Sequence, residues 1–214
     1  NLIKASLDVI SSVFSDLSLD SSFVMKYLPQ IIGQYQNSPQ TLKGDFMRCI
    51  ANCVSSCEYD SQAFVESILP MVMEGAQLES EEDVDIKICS IEALGTMLSF
   101  ASEKCAGIYE AAIQIILSAA TSEKFGLRSI GIKALINIIR ISEGELPLDF
   151  TQFAVKAAIV AMNTKIPDSD TTIEDDSSCS PEEIIYDGFT LLRLLMKYHP
   201  DCCIAFIDKI PGLL

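Results

Sequence analysis

Hydrophobic residues recur along this chain in two alternating kinds of segment, and each kind returns at a nearly constant interval. The segments "FVMKYLPQII" (23–32) and "FVESILPMVM" (64–73) align over ten positions at an offset of 41 residues. Similar apolar patterns return in the segments 108–117, 150–159 and 205–214. Because apolar residues lie three and four positions apart in each segment, the pattern predicts amphipathic helices with one buried stripe.

A second kind of apolar segment precedes each of these. The segments "SIEALGTML" (90–98) and "GIKALINII" (131–139) align at an offset of 41 residues, and 6–14, 47–54 and 188–196 occupy the same place in the interval. The unit is therefore a helix, a short turn and a second helix over about 42 residues, which is typical of helical repeat proteins. Since one pair cannot bury its apolar stripe alone, we expect the pairs to stack on one another.

These intervals predict an all-α fold, an α-solenoid of about five antiparallel helix pairs in a single array. The predicted units lie near 1–37, 38–79, 80–122, 123–166 and 180–214. Helix starts are predicted at capping or first-turn residues, namely 20–22, 38–39, 59–61, 148–149 and 180–181. Pro29, Pro70 and Pro211 recur inside the second helices, where a proline kinks a helix or marks its start. The chain lacks polar capping units at its ends, so we expect an internal fragment of a longer solenoid.

An acidic insertion, residues 165–181, interrupts the repeat. The fifth copy of the second-helix pattern follows the fourth by about 55 residues, which is late by roughly the length of this stretch. The insertion is rich in aspartate, glutamate, serine and threonine and contains two prolines. Its composition fits a solvated loop equally well as an electrostatic tether for a basic partner. The acids that we take as candidate partner contacts here are Asp168, Asp170, Glu174, Asp175 and Asp176.

The charge of the chain narrows the class of partner. Thirty acidic residues against fifteen basic ones give a net charge of −15, which argues against direct nucleic-acid binding because phosphate contacts need clustered lysine and arginine. A basic protein suits this field better. No apolar stretch is long enough to predict a membrane span, and no secretory signal is present at the N-terminus. An intracellular protein is the resulting expectation.

The residues that could support catalysis or metal binding lack suitable partners in the sequence. Cys49, Cys53 and Cys57 lie on one helix face, but the single histidine, His199, is far downstream and no CxxC pair occurs, so we predict eight reduced thiols and no metal site. No phosphate-binding loop or hydrolase motif is found. Five neighbouring acids lack the spacing of a calcium loop: Glu79, Glu81, Glu82, Asp83 and Asp85. We expect no enzyme activity and no cofactor, and we regard the first four of these acids as candidate partner contacts in a solvated turn.

The first helix of two of the predicted pairs carries a further pattern. "DIKICSIEALG" (85–95) and "LRSIGIKALIN" (127–137) resemble the HEAT repeat, with Asp85 and Lys87 matching its acidic and basic positions in one unit and Arg128 matching the basic position in the next. The phrases "YLPQII" (27–32) and "ILPMVMEGAQ" (68–77), and the longer segment 83–113, resemble the importin-beta (karyopherin-beta) superfamily. The acidic insertion after Asn163 makes the importin beta-three type the nearest resemblance.

This resemblance implies a nuclear transport receptor that binds protein cargo and moves between cytoplasm and nucleus. Ran-GTP and nuclear pore proteins would be partners of the full-length protein. The second helices would line the concave side and offer polar partner contacts: Gln30, Gln34, Glu66, Glu74, Glu110, Gln114 and Asn163. The alternative is a HEAT scaffold that organises a phosphatase or a chromosome-associated complex.

Overall fold

The computed structural model describes residues 2–16, 21–142, 146–166 and 179–204. Within these ranges the chain forms ten α-helices and three short 3₁₀ segments, and no described residue is in a strand. The all-α prediction is therefore confirmed. The division into five repeat units stays a prediction.

The helices fall into two compact units, residues 1–112 and 113–214. The first contains α1 (Leu2–Asp16), α2 (Ser21–Asn37), α3 (Gln40–Cys57), α4 (Val65–Ala76) and α5 (Val84–Phe100), with 3₁₀ segments at Glu58–Ala63, Glu81–Asp83 and Ser102–Ile108. The boundary between the units falls inside α6 (Tyr109–Ala120). The second unit contains α7 (Phe125–Ser142), α8 (Leu148–Met162), α9 (Pro181–Tyr198) and α10 (Pro200–Ile204).

In the first unit α3 packs against both α1 and α5, while α2 packs against α3 and α4 packs against α5. Two side-chain hydrogen bonds join helices that the sequence places one repeat apart. Asn52 Nδ2 on α3 donates to Ser11 Oγ on α1 at 2.7 Å, and the hydroxyls of Ser55 and Thr96 lie 3.4 Å apart between α3 and α5. Both pairs are 41 residues apart in the chain. Side-chain contacts within this unit are therefore spaced by the length of the sequence repeat.

In the second unit α9 packs against both α7 and α8. The approach of α8 to α9 depends on Gly188, because a Cβ at this position would lie 2.9 Å from Ala161 Cβ and 3.0 Å from the backbone nitrogen of Met162. Arg128, the basic position of the repeat motif, ties the start of α7 to the end of α8. Its Nε donates to the Ser122 carbonyl at 2.7 Å and its Nη1 to Thr164 Oγ1 at 2.9 Å.

Helix starts follow the predicted capping residues at several positions. The Ser180 hydroxyl accepts a hydrogen bond from the backbone N–H of Glu183 at 3.2 Å, and Pro181 occupies the first turn of α9. Serine at the cap and proline just inside the helix satisfy or remove backbone donors that would otherwise lack partners. The starts of α2 at Ser21 and α8 at Leu148 also fall at predicted positions.

The predicted start of the fourth helix at residues 59–61 is wrong. These residues belong to the 3₁₀ segment Glu58–Ala63, and α4 begins only at Val65. The cause lies at Glu58, which ends α3 with a φ of 45° in the left-handed region that side chains rarely adopt. Because the chain turns here, the aspartate and serine that were expected to start the helix lie in the 3₁₀ segment that precedes it.

Two of the recurring prolines, Pro29 and Pro70, lie inside helices and do not mark their starts. Pro29 is in the middle of α2 and Pro70 in the middle of α4, and both are exposed. A proline lacks the N–H that would pair with the carbonyl four residues earlier. On an exposed face this carbonyl can be hydrated, so the helix continues through the proline. Pro211 lies outside the described residues.

Candidate partner-binding surface

The four acids between α4 and α5, Glu79, Glu81, Glu82 and Asp83, are here called the acidic turn. Ser80 shapes it: its hydroxyl accepts from the N–H of Glu82 at 3.3 Å, and its carbonyl accepts from the N–H of Asp83 at 3.2 Å. These bonds close the 3₁₀ segment Glu81–Asp83. The three glutamates are exposed and Asp83 is half-buried, so the turn presents its carboxylates to solvent, as predicted for a solvated turn.

The acidic turn lies close to side chains from α2, α3 and α4. Gln40 on α3 donates a short hydrogen bond to Asp83. Burial raises the pKa of Tyr35 on α2, and the negative charges of Glu74 and Asp83 raise it further. The structure therefore brings Glu74 and the acidic turn together around one phenol. Lys43 Nζ lies 5.4 Å from the centre of the Tyr35 ring.

Glu74, Glu79 and Glu82 keep their negative charge without an ion-pair partner among the described residues. Within the part of the chain that the structure describes, ion pairs involve Asp45, Glu66 and Glu183 but not Glu74, Glu79 or Glu82. Three unpaired carboxylates on one side of the first unit create a field that attracts cations over a Debye length of about 8 Å at physiological salt. This surface could therefore attract lysine or arginine side chains of a partner.

The remaining predicted contacts on second helices are exposed but differ in their surroundings. Glu66 forms an ion pair with Lys104, with 2.9 Å between Oε1 and Nζ, so its charge is already balanced. Asn163 ends α8, and its side-chain amide donates to the Ile159 carbonyl at 2.8 Å. Glu110 and Gln114 are exposed on α6. Within the described part of the first unit, Glu74 is the predicted second-helix contact whose charge acts together with Asp83 on Tyr35.

Gln30 and Gln34 lie on an exposed face of α2 that also carries two aromatic rings. Phe23 and Tyr27 are 45% and 36% exposed, and their ring centres are 5.0 Å apart. The spacing 23, 27, 30 and 34 places all four side chains along one side of a helix. The aromatic pair was missed as a candidate contact, although its spacing of four residues in a predicted helix was visible in the sequence.

The acids of the insertion predicted as contacts lie outside the described residues: Asp168, Asp170, Glu174, Asp175 and Asp176. The residues after the insertion are described, and they form a polar cluster between α7 and α9. Lys133 Nζ lies 2.8 Å from Glu183 Oε1. Burial alone would lower the pKa of Lys133, but the hydrogen bond and charge of Glu183 outweigh it and raise the pKa. This partly exposed ion pair joins α9 to α7.

Asp187 belongs to the same cluster and is less well satisfied. Its Oδ2 is buried without a hydrogen-bond partner among the described residues. Burial raises the pKa of this carboxyl, and the charge of Lys133 acts in the opposite direction. A carboxylate that loses its hydration without gaining a hydrogen-bond donor destabilises the folded state. Asp187 therefore weakens the packing of α9 against α7.

The cysteines lie in the described residues, and no disulfide joins any of the eight. Burial raises the pKa of Cys49 and Cys105 to about 11 and that of Cys89 to about 12. Such thiols are almost fully protonated at neutral pH and are poor nucleophiles. No group of three metal-binding side chains occurs among the residues that the structure describes.

His199, the single histidine, ends α9. Its backbone N–H donates to the Leu195 carbonyl at 2.7 Å, and its Nε2 is buried without a hydrogen-bond partner in the described structure.

In the described ranges no helix is both long enough and apolar enough to cross a membrane.

No protein-family model matches the chain, and no curated protein matches it either. The resemblance to HEAT repeats and to the importin-beta superfamily therefore rests on the residues of the repeat motifs.

Proposed function

We propose that this chain is a segment of an importin-type nuclear transport receptor that binds basic protein cargo through an acidic surface of stacked HEAT-type helix pairs. The observation that carries the proposal is the acidic turn, where the exposed carboxylates of Glu79 and Glu82 form no ion pair with a described residue and lie near Glu74 and Tyr35. A surface of this kind suits a segment rich in lysine and arginine.

The proposed solenoid has support from contacts inside the first unit. Side chains on α1, α3 and α5 meet at a sequence separation of 41 residues, and Gln40 meets Asp83 at a separation of 43. Contacts that recur at the repeat length are expected when each helix pair packs mainly on its neighbours. In the second unit Thr151 Oγ1 and Cys202 Sγ meet at a separation of 51, which agrees with an insertion between the two helix pairs.

The test measures how fast a lysine- and arginine-rich peptide associates with the protein. We expect the triple variant Glu79→Gln, Glu81→Gln, Glu82→Gln to slow association several-fold at low salt, with a smaller difference at high salt. Exposed ion pairs contribute only about 0 to 1 kcal/mol each, so long-range attraction should dominate. The matched control removes three exposed acids elsewhere: Glu123→Gln, Asp149→Asn and Asp201→Asn.

A specific role for the acidic turn requires a larger effect in the triple variant than in the control, since both lose the same net charge. Equal rates for wild type and the triple variant would refute the proposal. The insertion is tested separately by replacing Asp168, Asp170, Glu174, Asp175 and Asp176 with Asn or Gln. If it recruits cargo, the same loss of association rate at low salt follows, and the melting temperature changes little.

A HEAT scaffold is the second candidate, and exposed apolar side chains favour it. Ile3, Val9 and Val13 on α1 are 52%, 64% and 41% exposed, and apolar patches of this kind often mark contacts between proteins. The two functions differ in their response to Ran-GTP. In the full-length protein, a receptor that shuttles between cytoplasm and nucleus should release the basic peptide when Ran-GTP binds, whereas a scaffold should retain it.

A further inference from the structure

The outer face of α9 exposes three large apolar side chains. Tyr186, Phe189 and Met196 are 71%, 48% and 51% exposed, although the opposite face of the same helix packs against α7 and α8. Together with Arg193 they lie at intervals of three and four residues, which places them on one side of the helix. Most of the surface of an aromatic ring is apolar, so burying Tyr186 and Phe189 against a partner would be favourable in free energy.

The charges on this face are distributed unevenly along the helix. Glu182 lies at the start of α9, and Arg193 and Lys197 lie in its last two turns; all three are exposed. Neither Glu182 nor Arg193 forms an ion pair with a described residue. Lys197 Nζ forms no ion pair with a described carboxylate and donates a hydrogen bond to the Tyr198 hydroxyl at 2.8 Å. One end of the face is therefore negative and the other positive.

We propose that this face of α9 pairs with the same face of a second copy of the chain in an antiparallel arrangement. When the pair is centred between Phe189 and Thr190, Glu182 comes opposite Lys197 of the second copy, and Tyr186 comes opposite Arg193. The two Phe189 rings then meet at the symmetry axis. An isologous twofold interface makes each of these contacts twice.

The charge pattern selects a second copy over other occupants and fixes the orientation. Antiparallel pairing places opposite charges together at both ends, whereas parallel pairing would place like charges together. A cation on the face of a tyrosine ring adds attraction between Arg193 and Tyr186. No other partner has to be assumed, because the face is complementary to itself.

The interface is small, which sets the expected strength. The 18 residues of α9 extend about 27 Å, so one helix face buries less than the roughly 800 Å² per partner of a standard stable complex. The net charge of −15 on each copy also opposes association. We therefore expect a weak, reversible dimer that forms at high protein concentration.

Sedimentation velocity from low micromolar to millimolar concentration tests the dimer, and charge exchange tests its geometry. Glu182→Lys and Lys197→Glu should each weaken association about three- to tenfold, because two symmetric attractions become repulsions. The double variant E182K/K197E restores opposite charges across the interface and should recover most of the loss. Glu123→Lys, an exposed acid outside α9, controls for net charge, and far-UV circular dichroism checks that each variant folds.

Cross-linking of the unaltered protein gives a second measurement that does not depend on a variant folding. A carbodiimide joins carboxylates to amines in contact, and a mixture of ¹⁵N-labelled and unlabelled protein identifies links between copies by mass. The expected product joins Glu182 to Lys197 across copies. A chain that stays monomeric at every concentration, a dimer without this cross-link, or a double variant as weak as the single variants would overturn the proposal.

Discussion

Two phenylalanines occupy the same position in successive copies of the second-helix motif, yet the structure treats them differently. Phe64 is 1% exposed and Phe23 is 45% exposed, although both are followed by a valine that is almost fully buried. Replacing each with alanine therefore compares one motif in two environments. We expect Phe64→Ala to be strongly destabilising and Phe23→Ala to be mild.

The magnitudes follow from burial. Removing a fully buried phenylalanine side chain costs about 3 to 5 kcal/mol, because the apolar transfer term is lost and a cavity remains. Complete burial of such a side chain contributes about 1.5 to 3 kcal/mol, and Phe23 retains only part of this because nearly half of it is in water. No closed cavity forms at an exposed site, so Phe23→Ala should cost about 1 kcal/mol.

Urea denaturation followed by far-UV circular dichroism measures the difference. With a slope of about 1 to 3 kcal/mol per molar urea, a loss of 3 kcal/mol shifts the midpoint by about 1 to 3 M. Because the chain forms two compact units, hydrogen exchange of peptides from residues 1–112 should report the same order of effects in the unit that holds both side chains. Equal losses for the two variants, or a loss below about 1 kcal/mol for Phe64→Ala, would refute the assignment of Phe64 to the core.

Three further predictions concern single sites. Gly188→Ala should destabilise the protein by about 1 to 3 kcal/mol because the added Cβ would collide with α8. Gly33→Ala, in open space in α2, should instead stabilise the protein by about 0.5 to 1 kcal/mol. Thermal denaturation measures both variants, and melting temperatures that change in the same direction would contradict the packing. Asp187→Asn should raise the melting temperature at pH 7, because a carboxyl whose pKa is raised by burial destabilises the folded state once it ionises. This gain should disappear as the pH falls below the unfolded pKa of about 3.9, and a gain that persists at pH 2 would count against the cause. In the native protein the half-buried Cys179 should react with iodoacetamide before the seven buried cysteines, and all eight should react after denaturation without release of zinc; a native reaction of several thiols at equal rates would argue against their burial.

The sequence predicts the exposure of the candidate contacts but not which side chains surround them. The acidic turn was visible as a run of glutamates and aspartates, and its exposure followed from the charge of these residues. Two of its neighbours were not visible, because Tyr35 on α2 and Gln40 on α3 come from helices distant in the sequence. The repeat interval was a usable signal for one of them, since Gln40 and Asp83 are 43 residues apart, close to the spacing of the motif.

The sequence by itself determined the local structure of this protein. Apolar residues at helical spacing and capping residues such as Ser180 fix where most helices form, because a helix depends on neighbours within four positions. The tertiary structure alone decided which of two equivalent side chains is buried, as with Phe23 and Phe64, and which charges meet, as with Lys133 and Glu183. These outcomes depend on residues 40 to 50 positions away, and a side chain is covered only where another helix packs upon it.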